Sequence, residues 1–395
     1  MWNLGTGSRP WPIGLDVSTD GIRMLQFHQP EGRLAVRAGA QWKPSHAREE
    51  GLSPDAAARA IREVMSEGGF AGREVVSALD SSDLRIETLR LPEIPIEELP
   101  HALLDRTEDL FDLDPSEHFL TALRAGMVVT AGNSHEWILL AVPHEAYWRR
   151  REWLGSMGLT IRALRPEPLA LYDAVYHQRR RNIDQQAAHA IIRMGRTSTL
   201  VVAAHLQRIL LIKNIDYGTD RLTEAAASYL GLAFEEADLL RQQIRNDYAL
   251  HAHQARMTNL TTSDIGAVNS IIWTVHDALR DEANALVLEI GLCLRHCSNL
   301  FGAPKIEQLT LAGEGAWDPS VIHLLRENLA VRCDGAAPFR SVEVSGCPLF
   351  SDRRGSMADW TVCAGLAGQP VAPDSLKLQR QPIQLIPSYR QGDAV

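Results

Sequence analysis

Apolar positions along the chain follow two rhythms, and each change of rhythm marks a new element. Around residues 12–28 and 33–42 they crowd into runs of strand length, with a break at Gly32. From Pro54 to Gly68, Ala57, Ala60, Ile61 and Met65 recur at the spacing of one helix face. A strand is expected over Val75–Leu79. Between Arg85 and Leu164 the order is a strand, a Glu/Pro-rich turn, a helix over Glu97–Leu110, strands over Phe119–Val129 and Glu136–Val142, and a helix over His144–Met157. That block reads as an α+β unit. A helix over Pro168–Gln178 follows, and the polar run Arg179–Gln186 reads as a linker.

The second half repeats the opening order of strand, turn and strand from Ala190, then predicts helices over Asp220–Tyr229, Phe234–Gln243 and Asp264–Asn299. The last carries Ile272, Val275, Leu279, Ala283 and Leu286 on one face, which it must bury against a sheet or a helix. A strand over Gln308–Leu311, a helix over Pro319–Asn328, a short strand over Ala330–Cys333 and a helix over Met357–Leu366 complete the pattern. Beyond Gly368, Pro370, Pro373, Pro382 and Pro387 interrupt any periodicity, so residues 369–395 are expected to be extended or disordered.

Two segments are copies of one device. Ile13–Gly21 and Ile191–Leu200 each run an apolar strand into a turn rich in glycine and hydroxyl residues. A second strand, Ile22–Gln26 or Leu200–Ala204, folds back as a hairpin. Backbone N–H groups and hydroxyls in such turns can cradle phosphate oxygens. Two of them half a chain apart are what a duplicated fold closing on a nucleotide from both sides presents.

Composition narrows the class. The chain has 395 residues, 45% apolar and 23% charged, enough for two or more globular cores. A formal net charge of -9 gives no basic footprint, so nucleic acid is not an expected partner, and Trp148–Arg151 and Arg179–Asn182 read as solvated ends. No run of 18 apolar residues occurs, and the start lacks the basic and apolar regions of a secretory signal, so a cytosolic place is expected. Five cysteines, Cys293, Cys297, Cys333, Cys347 and Cys363, fit reduced buried thiols. Cys293, His296 and Cys297 share a predicted helix, but no second ligand pair completes a metal site.

The two loops resemble those of the actin-like ATPases, and later segments resemble one family of that superfamily, the PilM proteins of type IV pilus assembly. In the family's order come Glu74–Leu79, Leu84–Pro92, Ile138–Pro143, Leu164–Leu171, Tyr217–Thr223, Gly231–Asp238, Leu309–Ala316 and Trp360–Ala367. The resemblance runs from about residue 10 to 368 and rests on colinearity, since each motif alone is common. It implies an α/β fold of two duplicated ribonuclease-H-like domains, residues 1–182 and 183–368, with an inserted α+β subdomain, 1C, over about 85–164.

The resemblance also implies a site for ATP with magnesium. Its nucleotide contacts would fall at Asp16, Ser18, Thr19, Gly21 and Arg23 in the first loop and at Arg193, Gly195, Thr197 and Ser198 in the second. Gly218, Asp238, Arg241, Gly313, Glu314 and Gly315 would line the rest, and Asp16 would position the metal. The alternative for Asp16 is that it only starts a turn. The departures matter more. Asp20 puts a second carboxylate near the phosphates unless it faces solvent, and Arg193 stands where the family has the aspartate beside the metal and the attacking water. Arginine neither ligates magnesium nor accepts a proton. It either replaces the metal's charge in a binding-only site or pairs with Asp16 to close the cleft, and hydrolysis is not expected in either case. No catalytic residue is assigned. Asp238 and Arg241 read equally as an acid and base on the adenosine or as an i, i+3 surface pair.

The expected function is therefore a PilM-like scaffold at the inner face of an inner membrane. It would hold the N-terminal tail of a PilN-type membrane protein in a groove between the first domain's core and subdomain 1C, with self-association a further expectation. A working FtsA-like ATPase or filament former is disfavoured by Arg193 and by Pro382 and Pro387, which bar a membrane-targeting helix at the end of the chain. A scaffold like GspL of type II secretion is the third reading, and a sugar kinase the last, since no catalytic base can be placed.

Overall fold

The computed structural model describes residues 11–43, 53–79, 83–129, 132, 134–176, 187–258, 270–350, 357–368 and 383–386. Its frame is one five-stranded sheet built twice. In the first, β1 (Ile13–Ser18) is central, with β2 (Gly21–His28) and β3 (Ala35–Trp42) antiparallel on one side. β4 (Glu74–Leu79) and β8 (Thr160–Pro166) lie parallel on the other, giving the order β3-β2-β1-β4-β8. The second sheet repeats it as β11-β10-β9-β12-β13, from β9 (His189–Met194), β10 (Thr199–His205), β11 (Arg208–Ile215), β12 (Gln308–Ala312) and β13 (Arg332–Gly335). The central strands β1 and β9 are buried almost throughout, which is why they read as unbroken apolar runs.

Helices cover both sheets. α1 (Pro54–Glu67) starts on Ser53, whose hydroxyl accepts the Ala56 N–H at 3.2 Å, and lays Ala57, Ala60, Ile61 and Val64 on the first sheet. α3 (His144–Gly155) and α4 (Glu167–Tyr176) also belong to the first lobe. The second lobe carries α5 (Thr219–Leu230), α6 (Phe234–Thr258), α7 (Ser270–Phe301) and α8 (Pro319–Leu329). α6 is longer than its pattern suggested, and the predicted stretch 264–269 of α7 lies outside the described residues.

A third sheet stands apart, in the order β14-β6-β7-β5, from β5 (Arg85–Pro92), β6 (His118–Met127), β7 (Ser134–Pro143) and β14 (Ile383–Ile386). α2 (Leu99–Phe111) packs on it through Leu99 and Leu103. The separate unit is thus narrower than the block expected over 85–164, because β8 pairs with β4 and Leu154 of α3 joins the first sheet's core.

α9 (Thr361–Ala367), expected to complete the second domain, packs instead on the first lobe, against β1 and α4. The contact is close because two glycines permit it. A Cβ on Gly14 would lie 2.6 Å from the Ala367 nitrogen, and one on Gly365 would overlap the Ala170 carbonyl. Most of the tail expected to be extended or disordered falls outside the described residues, but Ile383–Ile386 within it is an ordered strand, held by parallel pairing to β6.

Candidate functional site

The two duplicated hairpin turns meet between the lobes. In the first, Ser18 Oγ accepts the Asp20 N–H at 3.3 Å, and Gly21 takes φ +118° because any Cβ there would strike the Trp42 carbonyl. This turn aims Asp20 across the cleft, neither at solvent nor at open space. Its Oδ2 accepts from Arg193 Nη2 at 3.1 Å and its Oδ1 accepts the backbone N–H of Arg196 at 3.0 Å, with the side chain 1% exposed. Arg193 Nε also lies 3.0 Å from Glu167 Oε1 at the start of α4. One guanidinium from the second lobe is therefore held between two carboxylates of the first. The closing pair expected between Arg193 and Asp16 is made by Asp20 instead.

Asp16 is buried beside this clasp. Desolvation pushes its carboxyl up to about 6, against the opposing pull of Arg23 and Arg193. Arg23, itself buried, forks onto Asp359 with Nε at 3.3 Å and Nη2 at 3.1 Å. Arg23 and Arg193 are thus cations neighbouring Asp16. Among the described residues no group of three or more His, Cys, Asp or Glu is placed to hold a metal ion.

The second loop is tied down in the same manner. Gly195 donates its N–H to the Ser198 carbonyl at 3.0 Å, while the N–H groups of Thr219 and Asp220 at the start of α5 reach the Gly195 and Arg196 carbonyls at 2.9 Å each. Gly218 lies so close to the Arg196 carbonyl that a side chain would overlap it. Arg196 pairs with Asp220 at 2.8 Å and, more distantly, with Asp238 at 3.7 Å. Arg241 turns inward, donating to the Thr219 carbonyl at 2.8 Å, to Thr223 Oγ1 at 2.6 Å and to Asp318 Oδ2 at 2.6 Å. Asp238 and Arg241 are not an i, i+3 surface pair, since Arg241 is buried on Asp318 and Asp238 faces Arg196. Burial alone would raise the acid of Asp318, but Arg241 and Arg245 hold it below the usual range.

The glycine pair on the adenosine side serves packing. A Cβ on Gly313, at φ +81°, would meet the Met194 carbonyl at 2.5 Å, and one on Gly315 would meet Thr219 and Met194. A cavity of about 90 Å³ nearby is lined by Lys43, Arg245, Glu314, Trp317 and Asp359 among others.

The backbone N–H of Arg196, the kind of donor that would hold a phosphate oxygen, is taken by the Asp20 carboxylate. The structure brings Asp16, Arg23, Arg193, Gly195 and Gly218 together, whereas Thr19 and Thr197 are exposed at the turn tips and Ser18 serves its own turn. The residues missed as site members are Glu167, Arg196, Asp220, Asp318 and Asp359, while the sequence marks Asp20 only as a second carboxylate near the phosphates. Glu167 and Asp359 come from elements far along the chain, and the departures the sequence signalled were Asp20, as a second carboxylate, and Arg193.

Neither a protein-family model nor a curated protein matches the sequence. Among solved structures, a chain of a PilM–PilN type IV pilus biogenesis complex matches with TM-score 0.71 at 20% identity, covering 92% of this chain and 99% of that one. The ethanolamine utilization protein EutJ from Carboxydothermus hydrogenoformans matches at 0.49 and 13% identity, over 92% and 91% of the two chains. The cytoplasmic domain of EpsL, from the type II secretion system of Vibrio cholerae, matches at 0.36 and 17%, over 54% and 74%. The doubled sheet and the paired loops thus define an actin-like ATPase fold. Its form in this chain is similar, over nearly the full length of both, to that in the PilM–PilN complex.

Proposed function

We propose that this chain is a PilM-like scaffold of a type IV pilus or related assembly platform. It sits at the cytoplasmic face of an inner membrane and holds the N-terminal tail of a PilN-type membrane protein. Its nucleotide cleft serves as a structural clasp between the two lobes. The fold likeness supports the first part, and no helix among the described residues is long and apolar enough to cross a membrane. The single observation that carries the second is the Asp20–Arg193–Glu167 arrangement, in which protein carboxylates take the cationic and N–H donors a phosphate needs. A guanidinium offers only donors, so Arg193 activates no water. Positioning of metal and water supplies most of the rate in phosphoryl transfer, and a scaffold has no use for that rate.

Calorimetric titration with Mg-ATP tests the clasp. The wild type should give no saturable heat, and micromolar binding would sink this part. An Arg193→Asp variant, titrated alongside, should also fail while Asp20 keeps the Arg196 N–H. Co-expression with a small single-span protein encoded by a neighbouring gene tests the scaffold. Co-purification should survive in the full-length pair and vanish when the partner's cytosolic tail is removed, and survival without the tail would refute tail recognition.

A further inference from the structure

The third sheet ends in a strand that reaches it from far along the chain. Residues 369–382 separate α9 from β14, and β14 lies parallel to β6 in the register Ile383↔Leu120, Gln384↔Thr121, Leu385↔Ala122 and Ile386↔Leu123. Ile383 is 3% exposed and joins the apolar cluster of Leu89, Leu99, Leu103, Leu120 and Leu139, while α2 forms the wall opposite β6. Without β14, the edge of β6 and this pocket would face solvent together.

The seat is built for a short occupant. In the sequence Pro382 and Pro387 flank the four paired residues, and neither has an N–H to donate to a ladder. Parallel pairing is the weaker kind per residue. A buried anchor at Ile383 and a four-residue parallel ladder describe a segment that can leave and be replaced by another of the same chemistry. Strand addition to a sheet edge is a recurrent way of capturing extended peptides, with backbone bonds giving affinity and pockets giving specificity.

We propose that the β6 edge and α2 form a peptide-docking groove, and that Ile383–Ile386 is its tethered internal occupant, displaced by a partner's extended apolar segment. The partner is a protein segment with a β-branched or similar apolar anchor at its first paired position, able to form a short parallel strand. The proposal rests on the scaffold reading only for the partner's identity, and its test uses the chain's own peptide. Failure here therefore leaves that reading standing. Tethering holds the internal segment at an effective concentration of about millimolar, so a free peptide competes poorly until the tether's anchor is spoiled.

A labelled peptide with the sequence Gln381–Arg390 is titrated by fluorescence anisotropy into full-length wild type and full-length Ile383→Arg. The variant should bind at least tenfold more tightly. Equal affinity, or no binding by a variant that unfolds cooperatively like the wild type, overturns the proposal. A second measurement needs no destabilised variant. Thr121→Cys with Gln384→Cys, treated with a short thiol crosslinker, should give an internally linked monomer. Cys297, Cys333, Cys347 and Cys363 are buried and Cys293 is half-buried, so the added pair reacts first. A covalent dimer would place the segment on a second copy, and no crosslink would place it nowhere, and either result overturns the internal assignment.

Discussion

Asp20→Ala removes the acceptor of both bonds that pin the first loop to the second. Hydrogen bonds to charged groups are worth about 1.5–3 kcal/mol each, and stripping one partner from a buried ion pair costs about 3–5 kcal/mol. Arg193 keeps Glu167 at 3.0 Å, so the loss falls at the low end of that range, about 3 kcal/mol. Arg193→Met leaves two carboxylates in a dry site without their cation and should cost about 3–5 kcal/mol. In the double variant the second substitution removes a group already missing its partner, so the combined loss falls short of the sum by about 2 kcal/mol. Urea unfolding of the four proteins at pH 7, followed by tryptophan fluorescence, gives this coupling energy. Additivity within about 0.5 kcal/mol would show that Asp20 and Arg193 do not hold each other, and the clasp would be refuted.

Three other substitutions probe the same architecture. Asp16 has its acid raised to about 6 from 3.8, so its contribution to stability is full below pH 4 and lost as pH rises through 6. Asp16→Asn should unfold like the wild type at pH 4 yet be more stable at pH 7 by up to about 3 kcal/mol, and equal differences at both pH values would refute the shift. Arg241→Met strips Asp318 of its 2.6 Å partner and should cost about 3–5 kcal/mol at pH 7. The deficit should shrink at pH 4 as the orphaned acid takes a proton, which denaturation at the two pH values checks. Gly365→Ala drives a methyl into the Ala170 carbonyl and should cost about 3 kcal/mol or more, read from the unfolding midpoint.

The duplicated frame was legible because both central hairpins carry dense apolar runs ending in glycine-bearing turns. β11 was not, although it completes the second sheet. Its hairpin turns on Leu206 and Gln207 at φ 48° and 65°, residues that give no turn signal. β8 was hidden by Arg162 and Arg165, whose charges are met by Glu74 and Asp173. β14 was read as tail because prolines flank it, and four residues carry too little pattern to declare a strand. At the site, residue types pointed to an impaired ATPase, but the direction of the Asp20 side chain depends on the Gly21 turn and the approach of the opposite lobe. No local pattern encodes that approach. The ring of pairs from Arg23 to Asp359 and from Arg193 to Glu167 joins residues whose meeting is a product of the whole fold.

The return of α9 to the first lobe sets the order in which this chain can be finished during synthesis. Residues 11–176 leave the ribosome early, but the face formed by Gly14 on β1 and Ala170 on α4 waits uncovered until Thr361–Ala367 arrives. A fragment ending at Tyr176 would lack α9 and expose this apolar seam to wrong partners. Contacts so far apart in sequence slow folding. Only a chain translated through Ala367 can cover the face that Gly14 and Ala170 present.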